Sequence, residues 1–469
     1  MQERVQLLNE APMRANARYV LYWAQMNRRT AANHALAYAI NLANQLAIPV
    51  LYYEGLTCTY KYANDRLHRF ILENVPDTAA DLKALGIGYT FHLRRRKSDA
   101  NDVLYQLAKD AAAVVTDDYP TFIARQHNAS VPQRLDIPYF VVDSSCIVPM
   151  SRLEKREYAA YTIRPRIHRL LDQYLRPFEM LTPAKRWKLD TSKFHTTVTP
   201  ANIAGLVAEC DIDHSVKPST TYRGGAKRAH HLLTHFLERN LSRYANGRNE
   251  PSAHATSDLS PYLHFGNISA LEIALKVKSH AAAHGLIPDE YLEELIVRRE
   301  LAFNFARYSD DPESLDNLPN WARVTLAKHD RDPRDYTYTQ EQWEPASTHD
   351  PLWNATQKEL LLRGKIHGYY RMYWGKKIIE WSASHQDALS IMIYLHDKYA
   401  LDGRDPNTYT NILWCLGLHD RPWTERPIFG MIRFMSADGM KRKTNTGAYI
   451  KEIEYLERTG HDLSQVQSA

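Results

Sequence analysis

The sequence predicts an α/β domain with a parallel sheet, followed by an all-α domain. Before about residue 150, short apolar runs alternate with longer amphipathic segments, the pattern of strands and their covering helices. From about residue 224, β-branched runs become scarce and helical periodicity dominates. A chain of 469 residues also exceeds the size at which one hydrophobic core usually stops growing. We therefore expect an α/β domain over residues 1–150, a linker over 151–215 and a helical domain over 216–469.

The α/β prediction depends on apolar runs with the length of buried strands. These runs are RYVLYW (18–23), IPVLYYE (48–54), IGYTFHL (87–93), AAVVTDD (112–118) and PYFVVD (138–143). A helix-like segment over residues 30–47 separates the first two, which gives the β-α-β order of a parallel sheet. No GxGxxG motif follows the first strand, so any nucleotide is expected to bind elsewhere.

The rest of the chain is predicted to consist of an irregular connection followed by helices. Residues 176–194 and 197–205 predict an extended connection within the linker, because they lack regular periodicity. Residues 226–245 and 289–308 have apolar side chains at helical spacing and predict helices. The basic run KRK (441–443) lies among Gly, Ser, Thr and Asn residues and predicts a loop.

Composition excludes several classes of protein. Hydrophobic residues at 44% and charged residues at 24% are typical of a globular domain, and no segment approaches the roughly 20 apolar residues of a membrane span. The N-terminus lacks the apolar run of a signal peptide, and the four cysteines have no metal-ligand spacing. We expect a soluble, intracellular, cytoplasmic protein with neither a disulfide framework nor a metal site.

Two features are open to a functional interpretation. Trp374 and Trp381 are seven residues apart, so on a helix both indoles project from one face, and Trp353 lies on the preceding segment. Such a series can relay electrons, or it can simply fill a core. Basic clusters at 94–97, 164–169 and 441–443 fit either a solvated face or contact with an anionic polymer, although the net charge is only +5.

Six segments, taken together, resemble the class II cyclobutane pyrimidine dimer photolyases of the cryptochrome/photolyase family. They are SDLSPYLHFGNIS (257–269), EELIVRREL (293–301), PLWN (351–354), IHGYYRMYWGKKIIEW (366–381), LDGRDPN (401–407) and LHDRPWTERPIFG (418–430). The resemblance implies the photolyase fold: a Rossmann-like antenna domain, a linker and an all-α FAD-binding domain. It also implies that a second chromophore, an antenna of deazaflavin or folate type, can bind to such a protein. The sequence does not decide whether one is present or which type it is.

The activity that the resemblance implies is light-dependent DNA repair. A deoxyribodipyrimidine photolyase splits the dimer by electron transfer from photoexcited reduced FAD to the flipped-out lesion. The partner is UV-damaged DNA, the protein is expected to be a monomer that binds no membrane, and it is nucleoid-associated when bound to DNA. Two rival functions are a cryptochrome-like photoreceptor without repair activity and a non-catalytic nucleic-acid-binding protein whose aromatic residues form a core.

The resemblance also assigns residues to FAD. It places the flavin diphosphate at Thr256 and Ser257, where hydroxyl and free amide groups before a helix can meet an anion or serve only as a helix cap. It pairs Arg371 with Asp402 beside the isoalloxazine ring, although such a pair can also be a surface salt bridge of little energy. The full set is Tyr244, Thr256, Ser257, Leu259, Ser260, Arg371, Asp402, Asp405 and Asn407.

The catalytic assignments follow from the same resemblance. Glu294 is placed facing the lesion, although one glutamate on a helix is often simply solvated, and Trp414 is placed against the splayed pyrimidines. The relay is expected to run from the flavin to Trp374, then Trp353, then Trp381 near solvent. His396 stands where the family has an asparagine facing flavin N5, so it either acts on the flavin or points away. The phosphate contacts are assigned to Arg426, Arg433, Lys441, Arg442 and Lys443, with a solvated surface charge as the alternative for each.

Overall fold

The computed structural model describes residues 1–466 and begins with a six-stranded sheet. Its strands are β1 Val5–Leu7, β2 Tyr19–Trp23, β3 Val50–Thr57, β4 Gly88–Arg94, β5 Ala111–Asp117 and β6 Tyr139–Val142. The strand order is β1-β6-β5-β2-β3-β4, with β1 antiparallel to β6 and every other pair parallel. The five predicted strands are confirmed. Strand β1 was not predicted, because its three residues are only partly buried and form no apolar run.

Helices cover both faces of this sheet. They are α1 His34–Gln45, α2 Asp65–Leu85, α3 Val103–Ala108 and α4 Phe122–Ser130. Helices α1 and α2 each begin after an asparagine cap, because the side chain of Asn33 accepts from the Leu36 N–H and that of Asn64 from the Leu67 N–H. All residues of β2 and β5 are buried, as expected for a parallel sheet covered on both sides.

The segment predicted as a linker contains two helices, α5 Ala160–Tyr174 and α6 Ile203–Ala208. The predicted extended connection over residues 197–205 is therefore wrong at its end, where α6 begins. Ile163 and Ile167, one turn apart on α5, are fully buried in the core that also includes α7 and α10 side chains. Three arginines and Pro165 interrupt the apolar pattern of α5, so the sequence analysis did not predict this helix.

The region from residue 216 to residue 466 is helical as predicted and contains no strand. Its helices are α7 Ala226–His235, α8 Tyr244–Gly247, α9 Ser260–His264, α10 Ala270–His284, α11 Asp289–Leu292, α12 Arg299–Arg307, α13 Asn320–His329, α14 Gln340–Trp343, α15 Pro351–Arg363, α16 Gly368–Trp381, α17 His385–Tyr399, α18 Pro406–Cys415, α19 Ala437–Lys443, α20 Thr446–Thr459 and α21 Leu463–Val466. Two π-helical segments, Phe236–Asn240 and Glu293–Arg298, interrupt the long predicted helices. The described chain as a whole, including the sheet region and the linker, also has short 3-10 turns at Gln2–Arg4, Pro132–Arg134, Met150–Arg152, Ser192–Phe194, Leu241–Arg243, Pro251–Ala253 and Leu315–Asn317.

The predicted loop at the basic run is wrong, because residues 441–443 form the last turn of α19. Ser436 caps this helix by accepting the Gly439 N–H. Three cations at the C-terminal end of a helix are placed favourably with respect to its dipole. The run is therefore an ordered, charged helix end.

Buried polar contacts join the sheet region to the helical region. Tyr119, which follows β5, donates to Asp405 Oδ2 at 2.6 Å. The Glu300 carboxylate on α12 accepts the N–H groups of Ile147 and Val148 at 2.7 and 3.1 Å. Over residues 1–466, no helix has the length and apolar character of a membrane span. The four cysteines are buried and unpaired.

Candidate functional site

A cavity of about 1020 Å³ opens among the helices of the second region. The cavity is lined by Tyr244, Thr256, Ser257, Asp258, Leu259, Ser260, Leu263, Tyr291, Glu294, Leu295, Arg299, Lys365, Ile366, Gly368, Arg371, Asp402, Asp405, Asn407 and Asn411. All nine residues assigned to FAD binding are in this wall.

Arg371 and Asp402 form a buried ion pair on one side of the cavity. Arg371 Nη2 contacts both carboxylate oxygens at 3.0 and 3.2 Å, and Ser260 Oγ donates to Asp402 Oδ2 at 2.7 Å. Burial alone would raise the pKa of the Asp402 carboxyl, but the Arg371 charge holds this pKa well below its usual range. The Arg371 Nε atom is buried and has no partner among the described residues. The side chains are 17% and 7% exposed, so the pair is largely buried and is not a surface salt bridge.

His396 lies behind this pair, on α17. Its imidazole is 1% exposed, and its Nε2 atom is 4.0 Å from Asp402 Oδ1. Burial, helped by the Arg371 charge, lowers the pKa of His396 to about 3, so the ring is neutral near neutral pH. Its Nδ1 atom has no partner within the described part of the chain. His396 thus adjoins the ion pair without being part of the cavity wall.

The Thr256–Ser260 segment lines the same cavity, next to the ion pair, and is irregular up to Leu259. Helix α9 begins only at Ser260, and its capping residue Leu259 offers no side-chain oxygen. The structure does not support the alternative in which Thr256 and Ser257 serve only as a helix cap. Asp258 adopts a left-handed backbone, with φ at 56°, and its carboxylate accepts from Lys365 Nζ at 2.5 Å and from Thr256 Oγ1 at 3.1 Å. These contacts hold the turn in place, and all five residues of the segment line the cavity.

A second cavity of about 1690 Å³ adjoins the first and shares Thr256, Ser257 and Asp258 with it. We call it the basic lobe, because its wall includes Arg228, His231, His235, Arg239, Arg243 and His254. Sequence analysis did not identify these residues as part of a site. Five of the six lie between residues 228 and 243, at helical spacing on α7 and the turns that follow it, and that spacing was the available signal.

Asp405 and Asn407 define the third side of the cavity at the start of α18. Asp405 caps this helix by accepting the Asn407 N–H at 2.9 Å. Its Oδ2 atom also accepts hydrogen bonds from the Tyr119 hydroxyl and from His264 Nδ1. Burial alone would raise the pKa of the Asp405 carboxyl, but these donors keep it at about 2. Asn411, one turn further along α18, also lines the wall and was not predicted.

Glu294 lies in the cavity wall on the π-helical segment. Its carboxylate accepts from Arg248 Nη1 at 2.9 Å, and Arg248 in turn lies 5.9 Å from the ring centre of Tyr244. The Glu294 side chain is 47% exposed. The neighbouring Glu293 pairs instead with Arg164. Glu294 therefore faces the open side of the cavity, where a large substrate can reach it.

The three predicted relay tryptophans are buried, and two of them are joined by a hydrogen bond. Trp353 Nε1 donates to the backbone oxygen of Trp374 at 3.0 Å, and Trp374 Nε1 donates to Gln357 Oε1 at 2.9 Å. Trp374 follows Arg371 by one turn on α16, so it lies just behind the ion pair. Trp381 is 5% exposed. Tyr338 and the exposed His349 cover it, so its place as the end of the relay near solvent stays a prediction.

Trp414 continues α18 one turn beyond Asn411 and is half-buried. The Arg433 guanidinium lies 5.7 Å from the Trp414 ring centre and 5.3 Å from that of the exposed Trp423. On the inner side, the buried Lys376 ammonium lies 5.5 Å from the Trp414 ring. The indole is thus held between two cations, with one of them accessible from solvent.

The other predicted phosphate contacts are on the surface. Arg426, Lys441, Arg442 and Lys443 are exposed, whereas Arg433 is half-buried. Arg426 packs 5.3 Å from the Phe434 ring centre. Arg426 and Arg433 belong to one stretch that follows α18, and the three cations of α19 come directly after it.

A third cavity, of about 630 Å³, lies where the sheet meets the helical region. It is lined by Trp23 and Gln25 after β2, by Gly55 and Thr57 at the end of β3, and by His127 on α4. These positions surround the carboxyl ends of β2 and β5, between which the strand order reverses. In open α/β sheets, ligands bind at this switch point.

Comparisons with known proteins agree with this architecture. A family model described as DNA photolyase matches residues 20–184. The deoxyribodipyrimidine photo-lyase of Methanothermobacter thermautotrophicus is 41% identical over 97% of this chain and 98% of its own length. The Arabidopsis thaliana deoxyribodipyrimidine photo-lyase is 37% identical over 93% of this chain and 89% of its own length.

Two solved structures share the fold. A Synechocystis cryptochrome superimposes with a TM-score of 0.69 at 16% identity, covering 93% of this chain and 89% of its own. A class III photolyase from Agrobacterium tumefaciens gives 0.67 at 18% identity, covering 94% and 87%. The predicted photolyase fold is confirmed, while the assignment to class II stays a prediction. The sheet, the helical cavity and nearly full-length similarity to curated relatives lead to one conclusion: the chain belongs to the DNA photolyase family.

Proposed function

We propose that this chain repairs cyclobutane pyrimidine dimers in DNA, using light and an FAD bound in the helical cavity. The observation that carries the proposal is the largely buried Arg371–Asp402 pair, which lines the cavity one helical turn from the buried indole of Trp374. The family relationship supports a flavin cofactor and light-driven lyase chemistry on dimer-containing DNA.

The residues present fit FAD. The helical cavity and the basic lobe share a wall and together give room for a molecule with two bulky halves. Hydroxyl groups of Thr256 and Ser257 stand along this shared wall, and the basic lobe supplies positive charge for a diphosphate. The Arg371 guanidinium in the cavity wall supplies the fixed positive charge that an anionic ring system needs. Tyr244 and Leu259 give the apolar surface on which planar groups pack.

When bound, the reduced flavin supplies, after absorbing light, the electron that opens the cyclobutane ring. Arg371 places a fixed positive charge beside the flavin, where negative charge is stabilised. Glu294 extends from the open side of the cavity and offers a carboxyl group to the thymine carbonyls of the lesion. Trp414 presents an indole face on which an extruded base can stack.

The DNA-binding surface in this proposal combines the stretch after α18 with the end of α19. Phosphates around the flipped dimer are neutralised by Arg426, Arg433, Lys441, Arg442 and Lys443. Each phosphate contact is expected to contribute about 0.9 to the slope of the logarithm of the binding constant against the logarithm of the salt concentration. A dimer has already lost much of its stacking, so flipping it costs less than flipping intact bases. Damaged sites are therefore preferred without extensive base readout.

We also propose that the chain belongs to class II and that the switch-point cavity is the place for an antenna chromophore. An aromatic wall at Trp23 and Phe122, with polar groups from Gln25 and His127, suits a planar, partly polar pigment. A deazaflavin and a folate are the two chemical types to test. Mass spectrometry of the small molecules released from purified protein distinguishes them.

Illumination of the flavin-reduced protein with a dimer-bearing oligonucleotide tests the repair function, with a dark sample as the control. We expect thymine absorbance to return only in the light. Because His396 replaces the family asparagine, the rival function is a cryptochrome-like photoreceptor. That rival predicts light-driven flavin reduction with no return of thymine absorbance.

The remaining parts of the proposal concern assembly and location. We propose a monomer that works in the cytoplasm and associates with the nucleoid through its DNA substrate. Light scattering of the purified holoprotein tests the monomer, and a mass of twice the value expected for one chain of 54.2 kDa would contradict it.

A further inference from the structure

Trp374 and Trp414 occupy corresponding places around the helical cavity. Trp374 follows Arg371 by one turn on α16, and Trp414 follows Asn411 by one turn on α18, while Arg371 and Asn411 both line the cavity wall. This spacing along the two helices gives neither indole an advantage as an electron donor to a cofactor in the cavity. The charges around the two rings, however, differ.

The surroundings of the relay indoles favour the loss of an electron. Trp374 Nε1 donates to Gln357 Oε1 at 2.9 Å, and Trp353 Nε1 donates to the backbone oxygen of Trp374 at 3.0 Å. Each oxygen places negative charge density at an N–H group, where an oxidised indole gains positive charge. Among the described residues, no Lys or Arg side chain stacks on either of these two rings.

The surroundings of Trp414 oppose the loss of an electron. The Lys376 ammonium lies 5.5 Å from the centre of this ring, and the Arg433 guanidinium lies 5.7 Å from it. A fixed positive charge makes an electron harder to remove from an indole, because the ring would become positive beside a like charge. The Lys376 charge has the larger effect, because its side chain is 0% exposed and solvent screens it little.

No carboxylate offsets these two charges by direct contact. Lys376 Nζ donates to the backbone oxygen of Cys415 at 2.6 Å, and in the described part of the chain neither Lys376 nor Arg433 forms an ion pair. By contrast Lys377, the next residue on α16, is paired with Glu380. Burial lowers the pKa of Lys376 to about 8, so its side chain is charged at neutral pH. A buried charge without an ionic partner is costly, which indicates a role beyond packing.

Lys376 also has a structural role at the end of α18, because Cys415 is the last residue of that helix. A donor at this position satisfies a carbonyl group that has no partner within the helix. This role needs an N–H group but no charge. The substitution Lys376→Gln keeps a donor for the Cys415 carbonyl and removes the charge, so it separates the two roles.

We propose that Lys376 and Arg433 are positioning residues that prevent Trp414 from donating an electron to the flavin, which leaves this role to the indoles of α15 and α16. This inference rests on the proposed flavin function. The step that the two cations suppress moves one electron from the Trp414 ring to photoexcited oxidised FAD. It would leave an indole radical cation and a flavin reduced by one electron, with no bond broken. With this step suppressed, Trp414 stays neutral and available to stack on an extruded base.

The test follows radicals by transient absorption after a light flash on the holoprotein with oxidised flavin. All variants carry Trp374→Phe, which blocks the relay, and we expect this substitution alone to give almost no tryptophanyl radical. Adding Lys376→Gln is expected to raise the radical yield at least several-fold. Adding Trp414→Phe to these two substitutions should abolish the radical again, which identifies Trp414 as its source.

The matched control is Lys377→Gln in the same Trp374→Phe background. It removes a buried cation one position along α16, but that cation lies over Trp381 and not over Trp414. We expect no gain in radical yield from this control. An equal gain in Lys377→Gln would overturn the inference, because the effect would then not depend on a charge beside Trp414.

Further outcomes separate this inference from the proposed function. If Lys376→Gln and Arg433→Gln both leave Trp374→Phe silent, with normal flavin content, the inference is wrong and the relay stands. Arg433 is half-buried on the outer side of the ring, so Arg433→Gln decides the question where Lys376→Gln does not retain flavin: a new radical supports the inference, and silence contradicts it. Photoreduction of Trp374→Phe at the unmodified rate would overturn both the relay and this inference. Repair by chemically reduced protein tests the proposed function independently of these results.

Discussion

At the scale of single residues, Glu294 and Glu293 are neighbours with different surroundings. Glu294 lines the cavity and meets Arg248, whereas Glu293 pairs with Arg164 and Arg298 away from it. We expect Glu294→Ala to retain flavin but to lower the repair rate by roughly 10²-fold, the usual cost of removing one group aimed at developing charge. The measurement is repair under saturating light by the reduced enzyme.

Glu293→Ala is the matched control, because it removes the same side chain one position away. Its repair rate should equal that of the unmodified enzyme. An undiminished rate in Glu294→Ala, with normal flavin content, would remove Glu294 from the lesion site.

His396 gives a prediction that depends on pH. Its folded-state pKa of about 3 lies below the unfolded value of about 6.5. Between these two pH values the His396 side chain is protonated in the unfolded chain but neutral in the folded chain. Stability is therefore lost as the pH falls below about 6.5, by about 2 kcal/mol between about pH 7.5 and about pH 5. We expect His396→Asn to remove about this much of the acid-induced loss, measured as the shift in urea midpoint between the two pH values.

The exposed His461 provides the comparison for this substitution. His461→Asn should leave the acid-induced shift of the urea midpoint unchanged. An equal shift in His396→Asn and the unmodified protein would show that His396 is not the buried neutral group described above.

Some residue positions could be predicted from the sequence and some could not. Arg371 and Asp402 are 31 positions apart and were paired only because both belong to recognisable motifs. Lys365 and Asp258, separated by 107 positions, form an equally close contact that no motif indicates. Contacts between distant segments depend on how helices pack, and periodicity within one segment does not contain that information.

At the scale of secondary structure elements, α16 arranges the chemistry of the site. It carries Arg371 at the cavity and Trp374 one turn further on, behind the ion pair. We expect Trp374→Phe to abolish light-driven reduction of the oxidised flavin, because phenylalanine is far harder to oxidise. Repair by chemically reduced enzyme should stay within about twofold, since that reaction draws no electron from the relay.

Flavin absorbance during illumination with a thiol measures the first effect, and the repair assay measures the second. Trp187→Phe is a suitable control, because this indole packs on Tyr19 in the sheet region, far from the cavity in the fold. Photoreduction of Trp374→Phe at the unmodified rate would exclude α16 from the relay.

Elements differed in how well the sequence predicted them. Strands such as β2 and β5 are buried on both faces and therefore read as unbroken apolar runs. Helix α5 was missed because only one narrow side of it is buried. The helices predicted over 226–245 and 289–308 exist, but their π-helical turns were not predicted, because a wider turn leaves no mark in residue composition.

At the scale of the whole molecule, Tyr119 links the sheet region to the cavity through Asp405. The carboxyl pKa of about 2 means that Asp405 contributes stability above the unfolded value of about 3.9 and that this stability is lost as the pH falls towards 2. We expect Tyr119→Phe to lower the free energy of unfolding by about 1.5–3 kcal/mol near neutral pH, because a buried charged acceptor loses a donor. Urea unfolding of the holoprotein measures this.

The same substitution at Tyr161, which is 65% exposed, should change the unfolding free energy by less than about 0.5 kcal/mol. We also expect Tyr119→Phe to lose less stability on acidification from about pH 5 to about pH 2, because with one donor fewer the folded-state pKa of the Asp405 carboxyl lies closer to its unfolded value. Identical acid profiles for Tyr119→Phe and the unmodified chain would show that this link is not energetically coupled to the site.

The π-helical segment Glu293–Arg298 makes the site sensitive to chain length. Each residue of an α-helix advances the rotation by about 100°, so removing one residue here would restore regular winding and turn everything before it by that angle. Glu294 would swing out of the wall while the downstream helix stayed in place. Most helices tolerate a one-codon deletion with a small loss of stability. In this segment, we expect the same deletion to leave the protein folded but to abolish repair.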